Sequence, residues 1–336
     1  MEMHQLRYFT AVARTGNFTR AAEQCHIAQP SLSQQIRKLE DELDEKLIMR
    51  LPGGKSRLTP AGEILLSRAN RILAEAQSAV EELRDRQKVV RGAVRLGAIP
   101  TVAPFLIPDA LLAFNEQHPE VELVVHEATT EQLLTQLERN ELDFVIVSPP
   151  LAGGPWQTES LGSESLYLVT PEGNHHIKKR APTLDDLREE EFILMREGHC
   201  LTGQVMKFCK MAEFRPRVRF LSAQVETLKA LIRSGAGVSL LPEMALGDVS
   251  KESRLHVIAF KNPAPQREIV FASLPDFPLP LAAREFQGYL KKAFEQRTQT
   301  MSDKSDKKPE KKPKKPSEKL AATGKPALRG KRKNRN

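Results

Sequence analysis

The chain has 336 residues, 40% hydrophobic and 5% aromatic, enough for about two ordinary domains with cores of their own. Three cysteines exclude a disulfide scaffold, and no signal-peptide pattern or membrane-length apolar run is present, so a cytoplasmic protein with reduced thiols is expected. The net charge of +8 belongs to one end: residues 301–336 hold 14 Lys and Arg against 4 Asp and Glu, which leaves residues 1–300 at about −2. The basicity therefore describes a tail and says little about the folded body.

From Met3 to Leu47 the apolar residues Leu6, Phe9, Val12 and Ala13 recur at three- and four-residue steps, followed by FTRAAEQC and SLSQQIRKLEDELDEKL. Three short helices are predicted. HIAQPS joins the second to the third, with Pro30 in a first-turn position. On the third helix Leu32, Ile36 and Leu39 turn inward, leaving Gln29, Ser31, Ser33, Gln34 and Arg37 as the polar face. IMRLPGGKSRL then offers a Pro-Gly-Gly hairpin between strand-forming arms that carry Arg50, Lys55 and Arg57. A helix pair followed by a basic hairpin is the layout of a winged helix-turn-helix, whose second helix enters the major groove of double-stranded DNA. A plain three-helix bundle with a polar surface has the same period.

Next, TPAGEILLSRANRILAEAQSAVEELRDRQ opens with Thr59 as N-cap and Pro60 at the first helical position. Its Ile64, Leu65, Ile72, Leu73, Val80 and Leu83 cluster near seven-residue repeats, so one face is expected to meet a partner helix. Beyond Arg91, strand and helix signals alternate in GAVRLGAI, PFLIPDALLAFNEQ, VELVVHEA, TEQLLTQLERN and LDFVIVS, which predicts a parallel α/β sheet. The rhythm breaks around residues 148–164 at SPPLAGGPWQTES. It resumes in VRFLS, VETLKALIRSG, GVSLLP and REIVFASL and ends in a helix from about Leu281 to Gln296. Two α/β lobes with a cleft between them are expected. His175 and His176 fall on a loop with no function assigned, and the Lys- and Pro-rich end is expected to be disordered.

In two-lobed α/β proteins, ligands sit near strand C-termini and helix N-termini. Thr101 follows the first strand and Thr130 opens a helix, so each hydroxyl suits either a ligand or a helix cap. EGHCLTGQVMKFC places Cys200 and Cys209 nine positions apart. Gly198 breaks the preceding strand and a helix begins near His199, so the helix N-terminus favours a Cys200 thiolate and His199 adds positive charge. Two small buried hydrophobes on a helix fit the same pattern. Cys25 reads as part of the helix-turn-helix core. No second ligand pair accompanies His199, Cys200 and Cys209, so neither a metal nor another cofactor is expected.

LRYFTAVARTGNFTRAAEQCHIAQPSLSQQIRKLEDELDEKLIMR, followed by LTPAG, resembles the N-terminal domain of LysR-type transcriptional regulators. Asp44 stands where a glycine commonly ends the recognition helix, and Ile48 where a phenylalanine is common. The resemblance implies a DNA-binding regulator and not an enzyme. Its domains would be a winged helix-turn-helix at 1–58, a linker and dimerisation helix at 59–90, a two-lobed effector domain like a periplasmic binding protein at 91–298, and a disordered tail at 299–336. SGAGVSLLP resembles a turn common in such effector domains. Gln29, Ser31, Ser33, Gln34 and Arg37 would face the groove while Arg50, Lys55 and Arg57 hold the phosphates.

GAIPTVAPFLIP, HEATTEQLLTQL and GHCLTGQVMKFC resemble the OxyR-type peroxide sensors within that family. This implies a peroxide-reactive Cys200, a resolving Cys209 that pairs with it in a reversible disulfide, and a polar shell of Thr101, Thr130, His199 and Gln204. Thr202 and Gly203 stand where many members have Arg-Asp, and Leu274 where an arginine is often found. The implied partners are double-stranded DNA, hydrogen peroxide, RNA polymerase and further copies of the chain in a homodimer or homotetramer. An activator of the oxidative-stress response, associated with the nucleoid when bound to DNA, is expected. The alternatives are a LysR-type regulator that binds a small metabolite in its cleft, with structural cysteines, and a thiol peroxidase or other α/β enzyme. The helix-turn-helix and the lack of a triad or metal constellation argue against the enzyme.

Overall fold

The computed structural model describes residues 1–85, 90–174, 181–247 and 254–306. His175, His176 and the basic segment from residue 307 onward, with the disorder expected there, lie outside the described residues.

Helices α1 (Met3–Thr15), α2 (Phe18–Gln24) and α3 (Gln29–Leu43) close around Leu6, Phe9, Val12, Ala21, Leu32, Ile36 and Leu39. Asn17 starts α2 by accepting the Thr19 and Arg20 amides, while α3 ends at Asp44 in the left-handed region, φ +50°. An aspartate tolerates the conformation that a glycine adopts freely. The wing is the antiparallel pair β1 (Ile48–Arg50) and β2 (Ser56–Leu58), turned at Gly53 and Gly54.

Thr59 precedes α4 (Pro60–Asp85), accepting the Gly62 amide and donating to the Lys46 carbonyl. Gly62 lies so close to the wing that a Cβ there would sit 2.1 Å from the Leu47 carbonyl oxygen. Ala69, about two turns further, is buried in the helix-turn-helix core. Along the rest of α4, Ile64, Ile72, Val80 and Leu83 are exposed.

The effector part has two sheets. In the first lobe β4 (Val121–Glu127), β3 (Gly92–Ala98) and β5 (Phe144–Val147) run parallel, with α5 (Ala103–Gln117) and α6 (Thr130–Glu138) as crossovers. The parallel arrangement expected for these three strands is present, and two further strands are added to it. Both β6 (Gln157–Pro171) and β11 (Gln266–Ser273) join it antiparallel. In the second lobe β7 (Glu191–Met195) pairs in parallel with β8 (Arg217–Ser222), packed by α7 (Cys200–Met211) and α8 (Val225–Arg233). There β9 (Ser239–Pro242) and β10 (Leu255–Ile258) flank the second half of β6.

Strand β6 is therefore shared between the lobes, and it begins at Gln157, inside the stretch where the sequence rhythm breaks. Its first half pairs with β11 and its second half with β9 and β10. The chain crosses back just before β11, where the Leu166 amide donates to the Pro265 carbonyl at 2.8 Å. These two crossings join separate cores, one around Leu96, Phe114, Phe144 and Phe286, the other around Phe192, Leu194, Leu228 and Leu240. Phe105 packs against both. The final helix, α9 (Leu281–Asp306), continues past Gln296 into residues 299–306, because extending an existing helix costs far less than starting one.

Candidate functional site

After β7 the chain turns through Gly198, φ +90°, and His199 becomes the N-cap of α7, so Cys200 is the first helical residue. Leu201, Val205 and Cys209 recur every fourth position and bury one face of α7 in the second-lobe core. Cys209 is 0% exposed there. Cys200 is partly buried and packs instead against the first-lobe core. Both cysteines are free thiols.

The hydroxyls expected near Cys200 are present and are not used as caps. The N-cap of α6 is Thr129, which forms a capping box with Gln132, and that of α5 is Val102. Thr130 Oγ1 is buried beside the Cys200 thiol, with no oxygen or nitrogen atom as a partner. Thr101 Oγ1 accepts from Arg267 Nη1 at 2.7 Å, and its carbonyl accepts from Nη2 at 3.1 Å. The Arg267 side chain is wholly buried; its Nε and Nη2 both donate to Glu164 Oε1, at 2.8 and 2.7 Å. Glu164 Oε2 accepts the Met244 amide at 2.8 Å.

Burial pushes the Cys200 thiol above its ordinary range, while the Arg267 charge, the Leu201 amide and the Thr130 and Thr101 hydroxyls pull it back. For Cys209 burial acts alone and the thiol is pushed up to about 11. Burial and the nearby Arg196 charge hold His199 below its usual value, which corrects the expectation that its ring adds positive charge beside Cys200.

Thr130, Pro150, Gly198, His199, Cys200 and Gly203 line a cleft of about 380 Å³. Gln204, buried just behind it, donates to Ser148 Oγ at 2.7 Å and to the Pro149 carbonyl at 3.3 Å, tying α7 to the loop after β5. Its Oε1 is buried without a partner. Thr101, Thr130, His199 and Gln204 thus gather around the Cys200 end of α7, and Cys209 lies at the other end.

Thr202 donates to the Met195 carbonyl at 2.7 Å, and Gly203 leaves open space where a side chain would stand. Leu274 packs on the first-lobe core, and the guanidinium at the site comes from Arg267 on the preceding strand. Sequence reasoning missed Arg267 and Glu164. A signal existed for the first: Arg267, Ile269 and Phe271 share one parity along β11 and all three are buried. Among the described residues no three His, Cys, Asp or Glu side chains converge as metal ligands.

On α3, Ser31, Gln34 and Arg37 are exposed and Gln29 is half-exposed, while Arg50, Lys55 and Arg57 are exposed on the wing. Ser33 departs from the expected face. It is 4% exposed, and its hydroxyl accepts from Arg50, whose guanidinium also lies 4.3 Å from the centre of the Phe18 ring. Position 33 borders the buried stripe of Leu32 and Ile36, so the side chain points toward the wing.

A winged helix-turn-helix, a long helix and a two-lobed α/β domain, in that order, define a LysR-type transcriptional regulator. Residues 3–63 match the profile for the bacterial regulatory helix-turn-helix protein, lysR family, and residues 87–295 that for the LysR substrate binding domain. The chain belongs to this family of DNA-binding regulators, which are not enzymes. Within it the chain is OxyR-like. It is 33% identical over 279 residues to the DNA-binding transcriptional dual regulator OxyR of Escherichia coli K12, covering 83% of this chain and 91% of that one. It is 38% identical over 276 residues to a probable hydrogen peroxide-inducible genes activator of Streptomyces viridosporus, covering 80% and 86%. A full-length OxyR variant from Pseudomonas aeruginosa superposes with a TM-score of 0.75 at 30% identity, covering 87% of this chain and 95% of that one. Among the described residues no helix is long and apolar enough to cross a membrane.

Proposed function

We propose that the protein is a peroxide-responsive transcriptional regulator in which hydrogen peroxide oxidises Cys200 and Cys209 then closes a reversible disulfide. The observation that carries this reading is the surroundings of Cys200: a thiol at a helix N-terminus, facing a cleft, beside a buried cation and the Thr130 hydroxyl. The Cys200 thiolate attacks one peroxide oxygen, the O–O bond breaks, and the departing hydroxide takes up a proton to leave as water. Cys200 is then a sulfenic acid. Thr101, Thr130 and neutral His199 supply hydrogen bonds to the two peroxide oxygens, and Gln204 Oε1 offers a further acceptor. The Cys209 thiolate attacks the sulfenic sulfur, hydroxide leaves and is protonated, and the S–S bond forms. The two thiols together give up the two electrons that reduce peroxide.

The second step demands a rearrangement. Nine helical residues span about 13.5 Å, whereas a disulfide needs Cα atoms within about 7 Å. Helix α7 must therefore unwind, Cys209 must leave its core, and the bonds from Gln204 to Ser148 and Pro149 break. A helix that anchors one lobe to the other is thus the element with two states.

On DNA, Gln29, Ser31, Gln34 and Arg37 read base edges, and Arg50, Lys55 and Arg57 hold phosphates, with Ser33 fixing Arg50. The exposed stripe of Ile64, Ile72, Val80 and Leu83 on α4 meets the same stripe of a second copy, giving a homodimer or homotetramer whose assembly also engages RNA polymerase. The basic segment adds affinity for DNA of any sequence. Intact-mass analysis with thiol trapping, with and without a small excess of peroxide, tests the redox reading. A loss of two hydrogens mapped to Cys200 and Cys209, together with a changed operator footprint, is expected. An unchanged footprint on protein oxidised at both positions would return the cleft to a metabolite effector.

A further inference from the structure

Arg267 is, among the described residues, the one charged group that acts on the Cys200 thiol. A guanidinium buried this completely requires a counter-charge, and Glu164 supplies it. The two are cross-strand neighbours on β11 and β6, where those strands pass between the lobes. Glu164 is held from behind by the Met244 amide, and Arg267 from in front by the Thr101 hydroxyl and carbonyl. The positive charge beside Cys200 is therefore partly offset before the thiol ionises.

We propose that Glu164 is a positioning residue that sets how readily Cys200 reacts: pairing with Arg267 fixes the guanidinium on Thr101 and cancels part of the charge that would stabilise the thiolate. The proposal rests on the peroxide reading of the cleft and adds a threshold to it. With the Glu164 carboxylate held on Arg267, less of the guanidinium's charge is left to favour the Cys200 thiolate. With a neutral glutamine at position 164 the guanidinium's charge is no longer offset, and it favours the Cys200 thiolate. The other titratable groups around the pair are Glu243, on the turn behind Glu164, and Glu131, Glu197 and His199 at the mouth of the cleft. None of these contacts the guanidinium among the hydrogen bonds that hold it.

The test uses full-length protein carrying Cys209→Ser, so that Cys200 titrates without a resolving thiol. The pH dependence of Cys200 alkylation by iodoacetamide is followed by mass spectrometry of its peptide. Glu164→Gln is expected to lower the alkylation midpoint by about one pH unit, making about tenfold more thiolate at neutral pH. The peroxide rate at pH 7 should rise in step. In Glu164→Gln/Arg267→Met, where both charges are gone, the midpoint is expected to lie above the starting value. A residue that only supports the fold would lower thermal stability and leave the midpoint unmoved. An unchanged or raised midpoint in folded Glu164→Gln overturns the proposal. If that variant does not fold, Glu164→Asp, with the same charge on a shorter arm, should give a smaller fall, and no fall overturns the proposal equally. Should wild-type protein prove insensitive to peroxide, the functional reading fails, while the alkylation midpoints still decide the role of Glu164.

Discussion

Cys200 and Cys209 share one helix but not one core: the first packs against the first lobe and the second is sealed inside the other. Joining them therefore means undoing α7 and displacing a fully buried side chain. The sulfenic acid and the disulfide are separable events with different structural demands.

Gly203 lies inside α7 with nothing within 4 Å of where a Cβ would be. Replacing it with alanine stabilises the helix by about 1 kcal/mol, which reduces the unwound population about fivefold. Gly203→Ala is therefore expected to slow disulfide closure about fivefold. Stopped-flow trapping of the sulfenic acid should show it persisting correspondingly longer than in wild type. Closure at the wild-type rate would mean that α7 does not need to unwind first.

The pH profile of the peroxide step follows from the raised Cys200 pKa. A thiol raised above its ordinary value is mostly protonated at neutrality, so the thiolate fraction and the rate climb about tenfold per pH unit between pH 6 and 8. Thr130→Val removes a hydroxyl that favours the thiolate and should lower the rate at every pH in that window. His199, held below its usual pKa, should add no inflection near pH 6.5. A plateau below pH 8 in competition kinetics would contradict this.

Trp156 is the only tryptophan, and its indole donates to the carbonyl of Ala152 in the loop that Gln204 grips at Pro149. On the proposed mechanism oxidation releases that grip, so tryptophan emission should change in intensity or wavelength when the disulfide closes and recover on reduction. Cys200→Ser protein should show no response. Equal spectra for both wild-type states would place the loop outside the rearrangement.

At the DNA-binding end the contributions should separate. Gln34→Ala is expected to alter operator preference, whereas Lys55→Ala weakens all sequences alike and flattens the salt dependence by about one unit. Ser33→Ala frees Arg50 from its anchor and should resemble the lysine variant, with a loss of a few fold on every sequence. A change of base preference in Ser33→Ala, measured by selection from random duplexes, would put its hydroxyl in the groove.

The three N-terminal helices, the wing and the alternation of β3 through β5 were legible because each buries one face at its own period. Strand β6 was not. It changes sheets midway, so its burial pattern shifts from mostly exposed near Gln157 to mostly buried near Thr170, and no single period describes it. The cysteine spacing and the threonines were visible, but whether Thr130 caps a helix or faces a cleft depended on Thr129 taking the cap. Arg267 reads locally as a surface arginine. Its parity with Ile269 and Phe271 hints at burial, and its pairing with Glu164, 103 positions away, shows where its charge is turned.

The close approach of Gly62 to the Leu47 carbonyl, with Ala69 buried in the helix-turn-helix core, packs the base of α4 against the reading head. Turning together, the recognition helix, the wing and this 26-residue helix would make one arm. The arm is about 39 Å long at roughly 1.5 Å per residue. A tilt of about 10° at its far end would carry the reading head about 7 Å, or roughly two base-pair steps at 3.4 Å each. A change of a few ångströms around one sulfur atom would then be legible to DNA as a different distance between heads, with no atom of the reading surface itself rearranged.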